Sequence, residues 1–556
     1  MDIAATQLRR EIERRRTFAI ISHPDAGKTT LTEKLLLYGG AIRQAGAVRA
    51  RRAARHATSD WLALERERGI SVNSSVMTFE HAGLRVNILD TPGHHDFSED
   101  TYRTLTAADS AVMLIDAAKG VEPQTRKLFK VCRLRGIPIF TFVNKMDRLG
   151  REPLDLMGEI EDGLGIHATP VNWPVGAGSE FRGVYDRLGR RLLLFQGGRH
   201  GAQQVDETIV TGGAEEPQVL AALGDGAREV LSSLELLDGA GEPFDARQVR
   251  AGRLTPMFFG SALTNFGVLP FLDRFLELAP APSARLSDQG AIDPAAEPFS
   301  GFVFKIQANM DPDHRDRVAF VRVCSGRFRK GASTIHVPSG KTLRLANSTL
   351  LMARERQEVE EAYPGDVVGL FDPGLFRIGD TLNDLGTFRY AGVPSFSPEH
   401  FVRVSVAEVL RRKSLAKGLD QLTQEGLVQR FNEPGAGSSA PILGAVGPLQ
   451  FDVLKFRMQS EYNVELTLEA LDFKVARWPR GRWDPADFRS SLFTKLVEDR
   501  EGRPVLLFDT QHSLRWIREK HPGLELAETA DASASDPTLE AIRSGRAAED
   551  GDGTGH

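Results

Sequence analysis

The chain has 556 residues, and this length predicts three or four domains. Its hydrophobic content of 41% is ordinary for a soluble globular protein, and its net charge of −5 does not favour generic coating of nucleic acid. No apolar run approaches the ~18 residues that cross a bilayer, and the charged segment from Met1 to Arg16 excludes a secretory signal, so we expect a cytoplasmic protein without membrane contact. With only Cys132 and Cys324, a disulfide scaffold is excluded and two buried thiols are predicted.

The segment from Leu8 to Arg16 predicts an arginine-rich helix with a solvated face. The stretch from Phe18 to Thr30 then predicts a buried strand, a tight turn and the start of a helix. Free backbone N–H groups in such a turn converge on an anion. Lys28 is expected to reach the β- and γ-phosphates, and the Thr29 hydroxyl to coordinate Mg²⁺. Ser22 stands where the usual phosphate-loop pattern has its first glycine. The predicted phosphate-binding residues are Ser22, His23, Pro24, Asp25, Ala26, Gly27, Lys28, Thr29 and Thr30.

An arginine-rich loop from Arg49 to Arg55 leads to Arg68-Gly-Ile-Ser71. A hydroxyl after Arg-Gly-Ile suits a loop that closes over a nucleotide and supplies a second Mg²⁺ ligand, here Ser71. From this segment alone, an exposed turn is the better interpretation.

The strands Val72 to Phe79 and Leu84 to Leu89 form a predicted hairpin that ends in Asp90-Thr91-Pro92-Gly93-His94-His95. Asp90 is expected to hold Mg²⁺ through water, and the Gly93 N–H to bond the γ-phosphate. His94 then stands where an attacking water would lie.

Two further buried strands, Ala111 to Ile115 and Ile137 to Val143, are predicted, and the second ends in Asn144-Lys145-Met146-Asp147. The Asp147 carboxylate can accept from guanine N1–H and the 2-amino group, which adenine does not offer. Asn144 is expected to bond the base edge, and the Lys145 stem to cover the ring. After the strand Pro256 to Phe259, the backbone of Ser261, Ala262 and Leu263 is expected near guanine O6.

These strand-and-loop units predict a multidomain α/β protein with a doubly wound phosphate-loop GTPase sheet, a β-barrel domain and an α+β domain. The predicted boundaries are 1–280 for the GTP-binding domain, with an insertion at about 165–250, then 281–395 for the barrel, 396–526 for the α+β domain, and 527–556 for a disordered tail. The Pro- and Ala-rich stretch from Pro280 to Pro298 predicts a linker.

The ordered nucleotide motifs resemble the translational GTPases, in which a histidine follows Asp-Thr-Pro-Gly. Longer blocks are similar to the bacterial class II peptide chain release factors, a family whose serine at the first phosphate-loop position explains Ser22. These blocks are Ile20 to Thr30, Glu67 to Ser71, Asp96 to Leu105, Gly301 to Asp311, His314 to Phe320, Glu361 to Asp366 and Gly444 to Asp452. The resemblance runs from about residue 10 to about 525. His95 departs from it, since the family usually has glutamate there.

The resemblance implies that Thr29 and Ser71 bind Mg²⁺, with Asp90 acting through water. It also implies that His94 positions the attacking water, that Pro24 and Ile70 flank it as a hydrophobic gate, and that Asp25 steadies the developing charge. GTP and GDP are the implied ligands. The implied partners are the ribosome, through rRNA and ribosomal proteins, and class I release factors, directly or indirectly. The implied activity is a ribosome-stimulated GTPase that recycles class I factors after peptide release.

Two alternatives stay open at this level. One is another translational GTPase of the elongation or translocation type, which would need domains beyond residue 530. The other is a GTP-binding ribosome assembly or stress protein whose hydrolysis is incidental.

Overall fold

The computed structural model describes residues 3–42, 75–92, 96, 98–196, 205–308, 317–345, 348–352, 355–390, 393, 397–406, 411–434, 441–488 and 494–528. Within these ranges the chain forms a nucleotide domain with an inserted sheet, a β-barrel-like domain and a third domain with two small sheets.

The nucleotide domain and its insertion contain eleven strands and nine α-helices in the described part of the chain. The strands are β1 Arg15–Ser22, β2 Ser75–His81, β3 Leu84–Asp90, β4 Ser110–Asp116, β5 Ile139–Asn144, β6 His167–Pro170, β7 Asn172–Val175, β8 Gly183–Asp186, β9 Arg191–Phe195, β10 Glu207–Thr211 and β11 Leu254–Phe259. The helices are α1 Ile3–Glu13, α2 Lys28–Tyr38, α3 Ser98–Ala107, α4 Pro123–Leu134, α5 Pro153–Leu164, α6 Pro217–Leu223, α7 Ala227–Ala240, α8 Ala246–Arg250 and α9 Val268–Leu278.

The main sheet has seven strands in the order β2-β3-β1-β4-β5-β11-β6. All neighbours are parallel except the β2–β3 hairpin. The apolar run from Phe18 to Ile21 is fully buried in β1, as expected for a strand covered on both faces. The predicted doubly wound sheet is therefore present, and the carboxyl ends of β1, β3, β5 and β11 lie along one edge.

The insertion is smaller than the sequence pattern indicated. Its predicted start at about residue 165 falls before β6, which pairs parallel with β11 and adds a strand to the main sheet. The separate inserted sheet begins with β7 and has the order β10-β9-β8-β7. A four-residue strand such as β6 is too short to give an apolar period, which is why the pattern did not reveal it.

The stretch predicted as a linker holds a hairpin. Its strands, β12 Arg285–Ser287 and β13 Gly290–Ile292, pair antiparallel. The β-barrel-like domain that follows contains β14 Ser300–Ala308, β15 Arg317–Ser325, β16 Phe328–Arg329, β17 Ser333–His336, β18 Lys341–Arg344, β19 Ser348–Met352, β20 Glu355–Glu358, β21 Glu361–Ala362, β22 Val367–Phe371 and β23 Thr381–Asn383. Eight of these strands form one sheet in the order β18-β17-β23-β14-β15-β22-β19-β20.

The third domain has the predicted α+β character. Its elements are β24 His400–Ser405, α10 Arg412–Gln424, β25 Gln429–Phe431, β26 Ile442–Ala445, α11 Leu449–Tyr462, β27 Thr467–Leu471, β28 Val475–Gly481, β29 Thr494–Glu498, β30 Pro504–Phe508, α12 Gln511–Lys520 and β31 Leu524–Ala527. They form two four-stranded sheets, β25-β26-β24-β27 and β29-β30-β28-β31. Ala527, predicted as the start of the tail, pairs with Trp478 in the second sheet. Residues 529–556 lie outside the described part.

Buried ion pairs join the nucleotide domain to the barrel. Arg15 Nε lies 2.8 Å from Asp366 Oδ2, and Arg322 Nη2 lies 2.5 Å from Asp109 Oδ2. Burial alone would raise the pKa of Asp366, but Arg15 and Arg85 hold it below its ordinary value. The predicted solvated arginine face is therefore wrong for Arg15, because it belongs to β1 and is buried.

The nucleotide domain also contacts the third domain through α3 and through Asp96, two residues before that helix. Asp96 Oδ2 accepts from the Leu449 N–H at 2.7 Å, at the start of α11. Arg103 Nη1 donates to the Gly426 carbonyl at 3.2 Å. The segment that follows Asp90 is thereby hydrogen-bonded to the third domain.

Both cysteines are buried and free, as predicted. Burial raises the pKa of Cys132 to about 12 and that of Cys324 to about 11. Among the described helices, none has the length and apolar character needed to cross a membrane.

Candidate nucleotide-binding site

The phosphate loop lies between β1 and α2 at the carboxyl edge of the sheet. Gly27 precedes α2 with φ +100°, in the left-handed region that glycine tolerates. A Cβ on Gly27 would come within 2.4 Å of the Asn144 Nδ2 atom. Asp25 also has a positive φ, +67°. The loop therefore takes a compact conformation that most residues would resist.

Lys28, predicted to contact phosphate, forms an ion pair with Asp90, predicted to hold Mg²⁺ through water. Lys28 Nζ lies 2.6 Å from Asp90 Oδ1, and both side chains are almost fully buried. Thr91 Oγ1 donates to the Ile20 carbonyl at 2.6 Å, which fixes the end of β3 against β1. A phosphate would compete with Asp90 for the ammonium, and a cation would compete with Lys28 for the carboxylate. The pair thus holds both charges in place for these ligands.

Asn144 ties the phosphate loop to the loop after β11. Its Nδ2 donates to the Ala26 carbonyl at 2.8 Å, and its Oδ1 accepts from the Ala262 N–H at 2.9 Å. One amide hydrogen of Asn144 remains for a bond to a base. Three segments distant in sequence are therefore fixed to one another by a single side chain.

Lys145 makes a second bridge, to a residue that the motifs did not reveal. Its ammonium lies 2.7 Å from Asp116 Oδ2 and donates to the Asp25 carbonyl at 2.5 Å. Burial alone would raise the pKa of Asp116, but the hydrogen bonds from Lys145 and the Ala118 N–H hold it below its ordinary value. The ionised pair keeps the Lys145 stem stretched along the site. Asp116 ends β4 beside β5, so its place on the same sheet edge was the available signal.

Asp147 is oriented by the loop after β11. Ser261 Oγ donates to Asp147 Oδ1 at 2.6 Å. The Met146 N–H donates to the Gly260 carbonyl at 3.2 Å, so the two loops are also joined through their backbones. Leu263 lies next to them and is 39% exposed. The residues predicted to read guanine are thus gathered at one place.

Family models match the chain in three consecutive parts. The elongation factor Tu GTP binding domain matches residues 13–281, elongation factor G domain 2 matches 298–385, and the C-terminal domain of class II release factor RF3 matches 390–518. The peptide chain release factor 3 of Symbiobacterium thermophilum is 57% identical over 96% of this chain and 100% of its own length. That of Acaryochloris marina is 53% identical over 94% of this chain and 97% of its own length.

The chain belongs to the peptide chain release factor 3 family.

A solved structure supports the fold of this release factor 3 family member. A crystal structure of a protein from Thermus thermophilus superposes with a TM-score of 0.65 at 24% identity, covering 88% of this chain and 72% of the other. The sequence-based expectations of the family and of a GTPase sheet followed by a barrel and an α+β domain are confirmed. As a member of the release factor 3 family with this GTP-binding domain, the chain is a GTPase that binds guanine nucleotide.

The described part of this release factor 3 family member does not include every predicted site residue. Ile70, Ser71, Gly93, His94 and the neighbouring His95 lie outside it. Of the phosphate loop, Ser22 is buried, and its Oγ has no hydrogen-bond partner among the described residues. His23 Nε2 lies 3.3 Å from Glu122 Oε1, beside the start of α4. The remaining predicted residues all lie on the carboxyl edge of the sheet.

The described residues fit a magnesium–nucleotide complex. Asp90 supplies a buried carboxylate at the end of β3, and Thr29 supplies a hydroxyl in the first turn of α2. Oxygen ligands are those that Mg²⁺ prefers. The helix start and the loop N–H groups provide the anion-binding side of the site.

Proposed function

We propose that this protein is a ribosome-dependent GTPase of translation termination that promotes dissociation and recycling of codon-specific, class I release factors after peptide release. The observation that carries the proposal is the gathering of Lys28, Asp90, Asn144 and Asp147 at one edge of the sheet, on a chain 96% of which matches a peptide chain release factor 3. Its partners are the ribosome, through rRNA and ribosomal proteins, and class I factors, directly or indirectly. It works in the cytoplasm.

In this proposal the base is read by the loops after β5 and β11. Asp147 accepts from guanine N1–H and the 2-amino group, while Ser261 holds its carboxylate from behind at 2.6 Å. Lys145, held between Asp116 and the Asp25 carbonyl, covers one face of the ring. An adenine base offers no donors at these two positions, so its nucleotides are rejected.

The phosphates lie over the loop from Ser22 to Thr30. Lys28 would turn from Asp90 to the β- and γ-phosphates and so exchange one charge pair for another. Thr29, Ser71 and, through water, Asp90 would hold Mg²⁺, which would supply positive charge to neutralise the phosphate oxygens. The hydrophobic gate of Pro24 and Ile70 flanks the position where His94 orients water.

The difference between the GTP-bound and GDP-bound states is transmitted to the third domain through the segment after Asp90. Gly93 senses the γ-phosphate, and only three residues further on Asp96 bonds the start of α11 in the third domain. The GTP-bound arrangement favours a ribosome-bound shape that is incompatible with a resident class I factor. Hydrolysis removes the γ-phosphate contact, and this protein leaves.

The decisive experiment follows a labelled class I release factor on ribosomes that have already released their peptide. Adding this protein with GTP should speed the departure of the label without changing the peptide-cleavage step. The Lys28→Ala variant, which lacks the phosphate-reaching ammonium, should not. Unchanged departure together with mRNA movement on pre-translocation ribosomes would favour a translocase instead. GTPase activity satisfied by an isolated ribosomal subunit would favour an assembly factor.

A further inference from the structure

A side chain of β7, the first strand of the insertion, is hydrogen-bonded to the end of β11 in the GTPase sheet. Asn172, on β7, is 4% exposed. Its Oδ1 accepts from the Phe259 N–H at 2.7 Å, and its Nδ2 donates to the Phe259 carbonyl at 3.2 Å. The side-chain amide thus pairs with both backbone groups of Phe259, as a neighbouring strand would. Phe259 ends β11, two residues before Ser261.

The insertion also holds the other base-reading loop. The Gly178 N–H donates to the Met146 carbonyl at 2.9 Å, one residue before Asp147. Gly178 has φ +60°, and a Cβ there would lie 3.5 Å from the backbone nitrogen of Leu149. The Trp173 ring meets the Phe259 ring edge-on, with centroids 5.5 Å apart. Residues 172–178 therefore contact both the end of β11, which precedes Ser261, and the loop after β5, which contains Asp147.

We propose that residues 172–178 of the insertion position the guanine-reading loops, with Asn172 as the positioning residue for Ser261 and Asp147. The inference rests on the proposed role of Asp147 in reading the base. Asn172 does not touch the nucleotide. It fixes the end of β11, from which Ser261 reaches Asp147, and so fixes the direction of the Asp147 carboxylate. The insertion thereby sets the selectivity for guanine and the rate of nucleotide release.

The physical reason is that a bidentate carboxylate contact depends on alignment. Hydrogen bonds weaken steeply when their angles bend. Without Asn172, the N–H and carbonyl of Phe259 lose buried partners, and the chain at Gly260 gains freedom to rotate. Gly260 is itself closely packed, since a Cβ there would lie 2.7 Å from the Phe142 ring. A small shift at this point therefore moves Ser261 rather than being absorbed.

The test compares Asn172→Ala with a matched control in the same insertion. Leu223→Ala, at a fully buried position of α6, destabilises the insertion without removing a hydrogen bond to either loop. The full-length proteins are compared for melting temperature, for the release rate of fluorescently labelled GDP, and for the ratio of GDP to IDP affinity. IDP lacks only the 2-amino group that Asp147 is proposed to bind.

We expect Asn172→Ala to release GDP about tenfold faster, the equivalent of one well-made buried hydrogen bond. Its GDP-over-IDP ratio should fall about threefold or more, and KM for GTP should change more than kcat. In an Asp147→Asn background, Asn172→Ala should cause no further loss of the ratio. Leu223→Ala should lower the melting temperature while keeping the wild-type ratio. If Asn172→Ala folds poorly, Asn172→Ser replaces it, because its short hydroxyl cannot reach both backbone groups.

Two results would overturn the inference. One is an Asn172 variant with wild-type GDP release and wild-type selectivity. The other is a Leu223→Ala protein that shows the same two changes at an equal loss of melting temperature. Failure of the base-reading assignment is recognised separately, because Asp147→Asn would then leave the GDP-over-IDP ratio unchanged. In that event the release rates of Asn172→Ala and Leu223→Ala still decide whether residues 172–178 hold the loops.

Discussion

At the scale of single residues, the candidate site is a set of charged side chains held by one another before any ligand is considered. Lys28 bonds Asp90, and Lys145 bonds Asp116. A phosphate or a cation would replace one partner of the first pair, whereas the second pair stays in place and holds the Lys145 stem along the base site. Preformed geometry of this kind lowers the entropy that binding has to overcome.

Asp147→Asn should exchange guanine for xanthine. The asparagine amide can donate to the xanthine 2-oxo group but cannot accept from the guanine 2-amino group in the same orientation. Charge-assisted hydrogen bonds contribute roughly 1.5–3 kcal/mol each, so losing two lowers GTP affinity by roughly a hundredfold or more. Titration with labelled GDP and XDP measures both changes, and undiminished GTP binding would remove Asp147 from the site.

His94→Ala should separate binding from hydrolysis. If His94 only orients water, its removal should leave GTP affinity intact. Ribosome-stimulated turnover should then fall by about 10²–10⁴-fold. Equilibrium binding and multiple-turnover assays with ribosomes give the two quantities. An equal loss of binding would make His94 a structural residue of its loop, and normal turnover would end the catalytic assignment.

Glu207 should make the insertion less stable as the pH rises. Burial, followed by the nearby Asp273, raises the pKa of Glu207 from 4.5 to about 7, while Arg191 opposes the shift. Asp273 is also bonded to His81 at 2.6 Å. Between these two pH values the folded protein keeps a proton that the unfolded chain has released, so the free energy of unfolding falls as pH increases.

Glu207→Gln removes this ionisation. Its melting temperature should therefore exceed that of the wild type at pH 8 and differ little at pH 4.5, as measured by thermal unfolding at both values. The exposed Glu235 on α7 supplies the control Glu235→Gln. A wild-type pH dependence in the Glu207 variant would contradict the assignment.

For single residues, the sequence is most informative where residues that act together are also close together in the chain. The phosphate loop and the Asn144–Asp147 motif are contiguous, so their spacing predicts them. Asp116 and Asn172 act through residues that are far away in the sequence, 29 positions to Lys145 and 87 to Phe259. A single aspartate or asparagine in a strand carries no pattern that would distinguish it.

At the scale of elements, the start of α2 is constrained both by its backbone conformation and by a neighbouring side chain. Gly27 combines a left-handed backbone with the side chain of Asn144 directly above it. The same Asn144 contacts the loop after β11. The start of one helix is therefore coupled to the ends of two strands.

Gly27→Ala should lower GDP affinity at least tenfold, because left-handed backbone costs about 1–2 kcal/mol for other residues and the new methyl group displaces Asn144. Gly40→Ala is the matched control, since Gly40 also has a positive φ, +69°, but nothing lies within 4 Å of its Cβ position. Nucleotide titration and thermal unfolding of both variants separate strain from collision. Equal losses of affinity would attribute the effect to strain alone.

Elements are predictable from sequence where an apolar period is long enough to be read. The buried strands β1, β3, β4, β5 and β11 and the helix α11 were recognisable in this way. The strand β6 and the hairpin of β12 and β13 were not, because three or four residues beside prolines and glycines give no period. In these segments, the pairing with an adjacent strand determines the structure.

At the scale of the whole molecule, the segment after Asp90 connects the end of β3 to the third domain. Asp96 caps the start of α11, and Gly447 allows the approach, since a Cβ there would lie 2.2 Å from the Asp96 Cγ atom. α3, which follows, bonds the same domain through Arg103. In the proposed mechanism, a change at the γ-phosphate would therefore have a short covalent path to the third domain.

Asp96→Ala should loosen the start of α11. Losing a helix-capping acceptor costs about 0.5–2 kcal/mol, so amide exchange at Leu449 should rise by roughly 2–30-fold. Hydrogen exchange resolved by peptide measures it. The first turn of α12 is capped by Thr510 instead and serves as the internal control. Unchanged protection at Leu449 would show that the contact contributes nothing to the boundary.

The ion pairs between the nucleotide domain and the barrel have a consequence for how these two bodies can move. Arg15, Asp366, Arg322 and Asp109 are each at most 3% exposed. Moving one charged side chain of such a pair away from its partner while it stays buried costs about 3–5 kcal/mol. Slight rotations would leave charges buried and unmatched, so they are improbable states. The orientation of the barrel should therefore take a few discrete values and change between them in jumps.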